Sequence, residues 1–230
     1  MFKKMLIWTV LIFFMSNGLV QAGSPEFVVI DKIKYDCDDP KMLFVKSMAT
    51  SMEEFKKNSF EWQKEMIKNG NFDIVVLQEY SMGAIDEPDS LLKYSNLFCD
   101  FIKENKAKPI FYLTWAREKV PQYQEIINKT YLQAATENEA DIVPVGIAWA
   151  LAQQYRPDIE LFNPDGSHPS DLGAFLTACI FVATILDEIP EKINGIFTSF
   201  DLYGESIKLM AIHPLDVAFC IKITEETVLK

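Results

Sequence analysis

Two residues of this sequence have the types and spacing that proton-transfer chemistry needs. The chain has 2 histidines, and one of them, His168, follows Asp165 by three positions within residues 163–169, a stretch rich in turn formers. A carboxylate in this position can accept a hydrogen bond from the histidine Nδ1–H, which fixes the tautomer and stabilises the imidazolium when the other nitrogen takes a proton. The pair is a candidate general base with its orienting partner. The spacing alone also fits a structural histidine in a turn.

Three other candidate residues follow stretches that predict buried strands. The β-branched, apolar run 73–78 ends in Gln78, and the apolar run 109–114 is followed by Trp115 and Arg117. Parallel α/β sheets bind ligands at the carboxyl ends of their strands. We therefore expect these side chains to lie at the binding edge of a sheet.

The elements that must position these residues alternate along the chain. Apolar runs predict strands at 27–30, 42–45, 73–78, 109–114 and 141–145. Apolar residues at helical spacing predict helices at 52–69, 89–106, 120–139 and 147–155. Leu97 is placed on the apolar side of helix 89–106. Ser170 is predicted to cap a further helix, and Pro214 to begin the last one, which runs to about residue 228. This alternation predicts a parallel sheet between layers of helices, a three-layer α/β/α sandwich.

The longer string around His168 resembles the last conserved block of the SGNH/GDSL hydrolase superfamily. That string is Asp165-Gly-Ser-His-Pro-Ser-x-x-Gly-x-x-Leu-x-Ala178, followed by an apolar helix. Segments 72–81, 108–117 and 142–149 are similar to the strands of a branch of that superfamily that reads D-x-V-V-L-Q-x-x-S. The resemblance extends from about residue 42 to about residue 228. It implies an SGNH/flavodoxin-like α/β/α sandwich and an ester hydrolase that uses neither a metal nor a cofactor.

The resemblance also implies roles for the candidate residues. His168 is expected to be the general base, Asp165 its partner, and Gln78 the side-chain donor of an oxyanion hole. For Gln78 the alternative is a buried amide that ties strand ends together. Trp115 and Arg117 are expected either to line the substrate groove or to serve packing and a surface salt bridge. The substrate is expected to be a small-molecule acyl or acetyl ester, and the predicted export suggests a saccharide ester.

The nucleophile block of that superfamily is missing here. It reads G-D-S or G-N-S after the first strand, whereas strand 27–30 is followed by Asp31-Lys-Ile-Lys-Tyr-Asp36. Ser24, Ser47 and Ser51 are the nearest serines in sequence, and none stands in such a motif, so the nucleophile is unknown. The N-terminal block is either truncated or diverged. The alternative function is therefore a non-catalytic SGNH-fold binding protein or a degenerate member that lacks the nucleophile.

The N-terminal residues predict where the protein is located, and the overall charge limits which partners it can bind. Lys3 and Lys4, the apolar run 5–15 and the ending Val20-Gln21-Ala22 are typical of a signal peptide over residues 1–22, with an uncleaved anchor as the alternative. Residues 23–230 are then a single domain, exported to the periplasm or outside the cell, with no membrane attachment after cleavage. The net charge of −11 argues against a nucleic-acid partner, which needs a basic face.

Four cysteines bear on redox chemistry and metal binding: Cys37, Cys99, Cys179 and Cys220. They are far apart and form no C-x-x-C pair, so a zinc or thioredoxin-type site has no support. In an exported protein one or two disulfides are an option. The last three lie in apolar runs, which favours small core residues.

Overall fold

The structure is a computed structural model of the chain, and it describes residues 27–30, 42–45, 65, 67–80, 82–189, 193–200 and 205–229. Within the predicted helix 52–69, residues 65 and 67–69 are helical. Several predictions concern residues outside the described ones, namely the signal peptide at 1–22, the rest of helix 52–69, Cys37 and the serines Ser24, Ser47 and Ser51.

The chain divides into two compact units, and the first contains the described residues up to Gly146. Its sheet has five strands in the order β1-β2-β3-β4-β5, which are β1 (Phe27–Ile30), β2 (Met42–Val45), β3 (Ile74–Leu77), β4 (Lys108–Tyr112) and β5 (Asp141–Val143). Strands β2 to β5 are parallel, as predicted, whereas β1 runs antiparallel to β2. Strand β1 therefore departs from the expected parallel sheet. Its direction was not predicted, because a short apolar run predicts a strand but not its direction.

The register of the sheet brings the ends of the parallel strands to one edge. Val45 stands opposite Leu77, and Leu77 stands opposite Phe111. All four residues of β3 are buried, which explains its unbroken apolar sequence. We call the edge formed by the residues that directly follow β3, β4 and β5 the carboxyl edge.

Helices of the first unit pack against this sheet. They are α1 (Gly83–Asp86), α2 (Pro88–Glu104), a 3₁₀ turn (Pro121–Tyr123) and α3 (Gln124–Glu137). Helices α2 and α3 contact each other and β4. The buried face of α2 consists of Leu91, Tyr94, Ser95, Phe98, Cys99 and Ile102. Leu97 is 39% exposed, so its predicted place on the apolar side is wrong, because residue 97 lies about 100° around the helix from Phe98.

The second unit contains the described residues from Ile147 onward. Helix α4 (Val145–Tyr155) leads into it, and its other elements are α5 (Asp171–Leu186), β6 (Ile196–Phe200), β7 (Ser206–Ala211) and α6 (Pro214–Val228). Ser170 caps α5 by accepting a hydrogen bond from the Gly173 N–H at 3.1 Å, as predicted. Pro214 begins α6, also as predicted. Helices α5 and α6 pack against each other.

Strands β6 and β7 form an antiparallel hairpin that the sequence did not predict. Among the side chains whose burial is described in this ribbon, Phe197 and Met210 are buried, whereas Ile196 and Ile207 are exposed. The Phe197 ring packs against Phe175 of α5, with ring centroids 5.9 Å apart. Neither strand is an unbroken apolar run, so the sequence shows no clear sign of a buried strand here.

The predicted α/β class is confirmed by the parallel sheet and its flanking helices. Over the described ranges, none of the helices combines the length and the apolar character that crossing a membrane requires.

Candidate active site

His168 and Asp165 are joined by the hydrogen bond that their spacing predicts. The His168 Nδ1 and the Asp165 Oδ2 are 2.6 Å apart. A carboxylate can only accept, so Nδ1 carries the proton, and Nε2 of a neutral ring is left as the proton acceptor. The side chains are 63% and 50% exposed, respectively, so the ring is accessible.

The second oxygen of Asp165 organises the loop itself. Its Oδ1 accepts hydrogen bonds from the backbone N–H groups of Ser167 at 2.8 Å and His168 at 2.9 Å. Gly166, between Asp165 and Ser167, has φ = 67°, a left-handed conformation in which a side chain is strained. One carboxylate thus shapes the turn with one oxygen and orients the imidazole with the other.

The ends of this loop are tied together, which limits how far the pair can move. The Asn163 N–H donates to the His168 carbonyl at 2.8 Å, and Phe162 and Pro169 form a β-bridge. Ser170, directly after the bridge, donates from its hydroxyl to the Glu160 carbonyl at 2.7 Å and caps α5. The loop is therefore fixed to the first turn of a buried helix.

The hydrogen bonds also decide the charge of Asp165. The backbone N–H groups of Ser167 and His168, and then the His168 ring, lower the pKa of this carboxyl to about 2. Asp165 therefore stays ionised well into the acid range, which suits a residue that has to stabilise a protonated imidazole.

Gln78 lies at the carboxyl edge, directly after β3, and is half-buried. Glu79, the next residue, is only 1% exposed, and its Oε1 accepts a hydrogen bond from the Tyr80 N–H at 2.8 Å. The backbone N–H of Glu79 donates to the hydroxyl of Tyr131 on α3 at 2.9 Å. The end of β3 is thus bonded to a helix of the same unit.

Trp115 and Arg117 lie in the loop after β4, also on the carboxyl edge. Trp115 is 8% exposed, and its ring meets that of Tyr112 edge to face, with centroids 6.3 Å apart, whereas Arg117 is exposed. Gln124 holds the loop, because its Oε1 accepts from the Ala116 N–H at 2.7 Å and its Nε2 donates to the Thr114 carbonyl at 3.2 Å. Both expectations for Trp115 and Arg117, substrate contact and packing, stay predictions.

Sequence reasoning missed the residues that hold the carboxyl edge. Gln124 and Tyr131 lie on α3, where the sequence shows only helical spacing, and Glu79 looked like one more polar residue after a strand. The signal for Glu79 was chemical, because a carboxylate two positions after a fully buried strand has to find hydrogen-bond partners.

The other histidine, His213, has a structural role. Its Nδ1 accepts a hydrogen bond from the Leu215 N–H at 3.3 Å and so caps α6. This provides a second histidine of the same chain against which His168 can be compared.

Comparisons with known proteins concern the fold. No protein-family model matches the chain, and no curated protein sequence does so either. A solved protein from Slackia heliotrinireducens, described as a candidate SGNH hydrolase, is similar with a TM-score of 0.50 and 23% identity, over 59% of this chain and 78% of that chain. A DUF4886 family protein from Bacteroides uniformis has a TM-score of 0.55 and 18% identity, over 73% of this chain and 66% of that chain. The chain therefore has the α/β/α sandwich fold of the SGNH/GDSL hydrolase superfamily, as the sequence blocks predicted.

Proposed function

We propose that this chain is an exported SGNH-type hydrolase of acyl or acetyl esters, with saccharide esters as the substrate class. His168 is the general base and Asp165 its orienting partner. The observation that carries the proposal is the 2.6 Å hydrogen bond between His168 Nδ1 and an ionised Asp165, in the loop that holds the Asp-Gly-Ser-His block. The SGNH-type fold supports it, because that fold houses such pairs in the superfamily that the sequence resembles.

The proposed reaction follows from the roles of these groups. Nε2 of His168 takes the proton of a serine hydroxyl while the serine oxygen bonds to the ester carbonyl carbon. The negative charge that develops on the carbonyl oxygen is stabilised by the Gln78 amide N–H. When the ester C–O bond breaks, the leaving alkoxide takes the proton from His168. Water then repeats the sequence on the acyl-serine, which frees the acid and restores the serine.

The nucleophile is the part of the proposal that needs identification. Ser47 follows Val45 by two positions in the sequence, and Val45 stands beside Leu77, the residue before Gln78. Among the three serines considered above, Ser47 is thus the closest along the chain to the end of a parallel strand. It is the first residue to substitute, and Ser81, three positions after Gln78, is the second.

A fluorophosphonate probe tests the proposal directly, because it labels a serine only when a base activates that serine. We expect one serine of residues 23–230 to be labelled and mapped by mass spectrometry. In His168→Ala the label should disappear, and hydrolysis of 4-nitrophenyl acetate and of an acetylated xylo-oligosaccharide should fall by roughly 10³-fold or more.

His213→Ala is the matched control, because it removes the other histidine and a helix cap without touching the proposed base. It should be labelled like the wild type. Equal labelling of His168→Ala and the wild type would exclude His168 as the base.

The missing Gly-x-Ser motif favours a second candidate, a non-catalytic binding protein of the same fold. That candidate predicts a folded wild-type protein that takes no label and hydrolyses neither ester. A screen of saccharides for binding would then replace the enzyme assay.

A further inference from the structure

The peptide that follows Gln78 is held from a helix far away in sequence. The Glu79 N–H donates to the Tyr131 hydroxyl at 2.9 Å, across 52 positions of the chain. Glu79 is 1% exposed and Tyr131 is 0% exposed. Leaving a buried N–H without a partner is costly, so this bond strongly favours one orientation of the peptide.

That orientation decides where the Gln78 side chain can point. The peptide unit between Gln78 and Glu79 is planar, so a fixed N–H direction also fixes the carbonyl of Gln78. Strand β3 holds Gln78 from the other side, since its last residue is Leu77. With both flanking peptide units in place, the backbone of Gln78 is defined, which sets the direction of its Cα–Cβ bond and limits the rotamers of its amide.

The segment after Gln78 also packs closely against the neighbouring helices α1 and α3. A Cβ at Gly83 would lie 2.3 Å from Glu79 Cγ and 2.9 Å from the Tyr80 ring, so α1 can approach the end of β3 only because residue 83 is a glycine. Thr130, next to Tyr131, has its hydroxyl 3.2 Å from the Ala84 carbonyl and 2.9 Å from the Ile126 carbonyl. Helix α3 thus contacts this segment at two places, and of the two hydroxyls it is that of Tyr131 that bonds to the peptide between Gln78 and Glu79.

Tyr131 itself is rigidly held. Its ring meets that of Phe111 on β4 edge to face, with centroids 6.4 Å apart. Burial raises the pKa of Tyr131, so the hydroxyl keeps its proton and the bond to Glu79 does not change with pH in the working range.

We propose that Tyr131 is a positioning residue, whose hydroxyl orients Gln78 through the Glu79 N–H for the proposed stabilisation of the oxyanion. This role rests on the proposed function. The aromatic ring serves packing, and the hydroxyl serves the orientation of Gln78, so the two can be separated by one substitution.

The kinetic test compares Tyr131→Phe with Thr130→Val. Tyr131→Phe keeps the ring and removes the acceptor, and we expect kcat on 4-nitrophenyl acetate to fall about 10-fold while KM stays within about 2-fold. Thr130→Val removes the neighbouring hydroxyl of the same helix and should leave kcat within about 2-fold. In the Gln78→Ala background, Tyr131→Phe should cause no further loss, because the group it orients is gone.

An unchanged kcat in Tyr131→Phe would overturn the proposal. So would a 10-fold loss that persists in the Gln78→Ala background, since the hydroxyl would then act through something other than Gln78.

A second readout does not depend on activity. With ¹⁵N-labelled glutamine and glutamate, NMR reports the side-chain NH₂ of Gln78 and the backbone amide of Glu79. We expect Tyr131→Phe to shift or broaden the Gln78 NH₂ signal and to speed hydrogen exchange at Glu79 at least 10-fold, with Thr130→Val close to the wild type. An unchanged Gln78 signal would overturn the positioning role. If the wild type hydrolyses no ester but these signals change as expected, the proposed function fails and the orienting bond stands.

Discussion

Asp165 shows how much a single exposed carboxylate can do when all of its hydrogen bonds are local. Its two oxygens accept from two backbone N–H groups and one imidazole. These bonds favour the ionised form, which is why the pKa of Asp165 is lowered to about 2. A carboxyl whose pKa is lower in the folded than in the unfolded state stabilises the fold above its unfolded pKa, and this contribution is lost as the pH falls through the folded pKa.

The substitution Asp165→Asn tests this contribution. The amide oxygen can still accept from the backbone, but the charge opposite His168 is lost. At pH 6 we expect the variant to unfold at a lower urea concentration than the wild type. Its free energy of unfolding should be lower by up to about 1 kcal/mol, the usual limit for an exposed ion pair. The difference should shrink as the pH falls from about 4 to about 2. Urea titrations over this range measure it, and a difference that grows in acid would contradict the assignment.

At the residue scale, only local features of the site could be predicted. Asp165 and His168 are three positions apart in a turn, so their hydrogen bond follows from the sequence. The bond between Glu79 and Tyr131 joins residues 52 positions apart, and no spacing rule predicts it. Long-range partners depend on how α3 packs on the sheet, which a single sequence does not encode in any local pattern.

At the scale of elements, the strands of the five-stranded sheet were the most predictable. Strands β1 and β2 have the predicted bounds, and β3 is one residue shorter at each end than predicted. The hairpin of β6 and β7 was missed, because neither Ile196–Phe200 nor Ser206–Ala211 is an unbroken apolar run of the kind that predicts a buried strand. The direction of β1 was missed because it depends on a partner strand.

The first turn of α5 offers a test of packing between elements. A Cβ on Gly173 would lie 2.2 Å from the Leu161 carbonyl oxygen and 2.8 Å from the Trp149 ring. Alanine favours a helix over glycine by about 1 kcal/mol. We nevertheless expect Gly173→Ala to lower the free energy of unfolding by about 1–3 kcal/mol, because a backbone carbonyl cannot move aside cheaply.

Urea unfolding at pH 7 measures this effect. Ala150→Gly, at an exposed position within α4, calibrates the difference in helix propensity without any overlap. A Gly173→Ala protein as stable as the wild type would mean that the approach of α5 to residue 161 is not close.

At the scale of the whole molecule, the candidate residues are divided between the two units. Gln78 belongs to the first unit, and Asp165 and His168 belong to the second. The single domain predicted from the sequence requires that both units unfold in one transition.

Three buried thiols can report on this cooperativity. Cys99 lies on α2 of the first unit, whereas Cys179 on α5 and Cys220 on α6 belong to the second, and all three are free. Burial raises the pKa of Cys99 and of Cys220 to about 12 and raises that of Cys179 well above its usual value. Because the thiolate is the reactive form, alkylation at pH 8 needs the protein to open first.

We expect each of these thiols to react with iodoacetamide roughly 10³-fold more slowly in the native protein than in 8 M urea, since opening a stable domain costs several kcal/mol. In a urea series, mass-spectrometric mapping keeps the label on Cys37 apart from that on the other three. If the chain is one cooperative domain, Cys99 and Cys220 become labelled at the same urea concentration. Labelling of Cys99 at clearly lower urea, while Cys179 and Cys220 stay protected, would show two independent domains. If ester hydrolysis depends on both Gln78 and His168, it would then have to be lost at the urea concentration that unfolds the less stable domain.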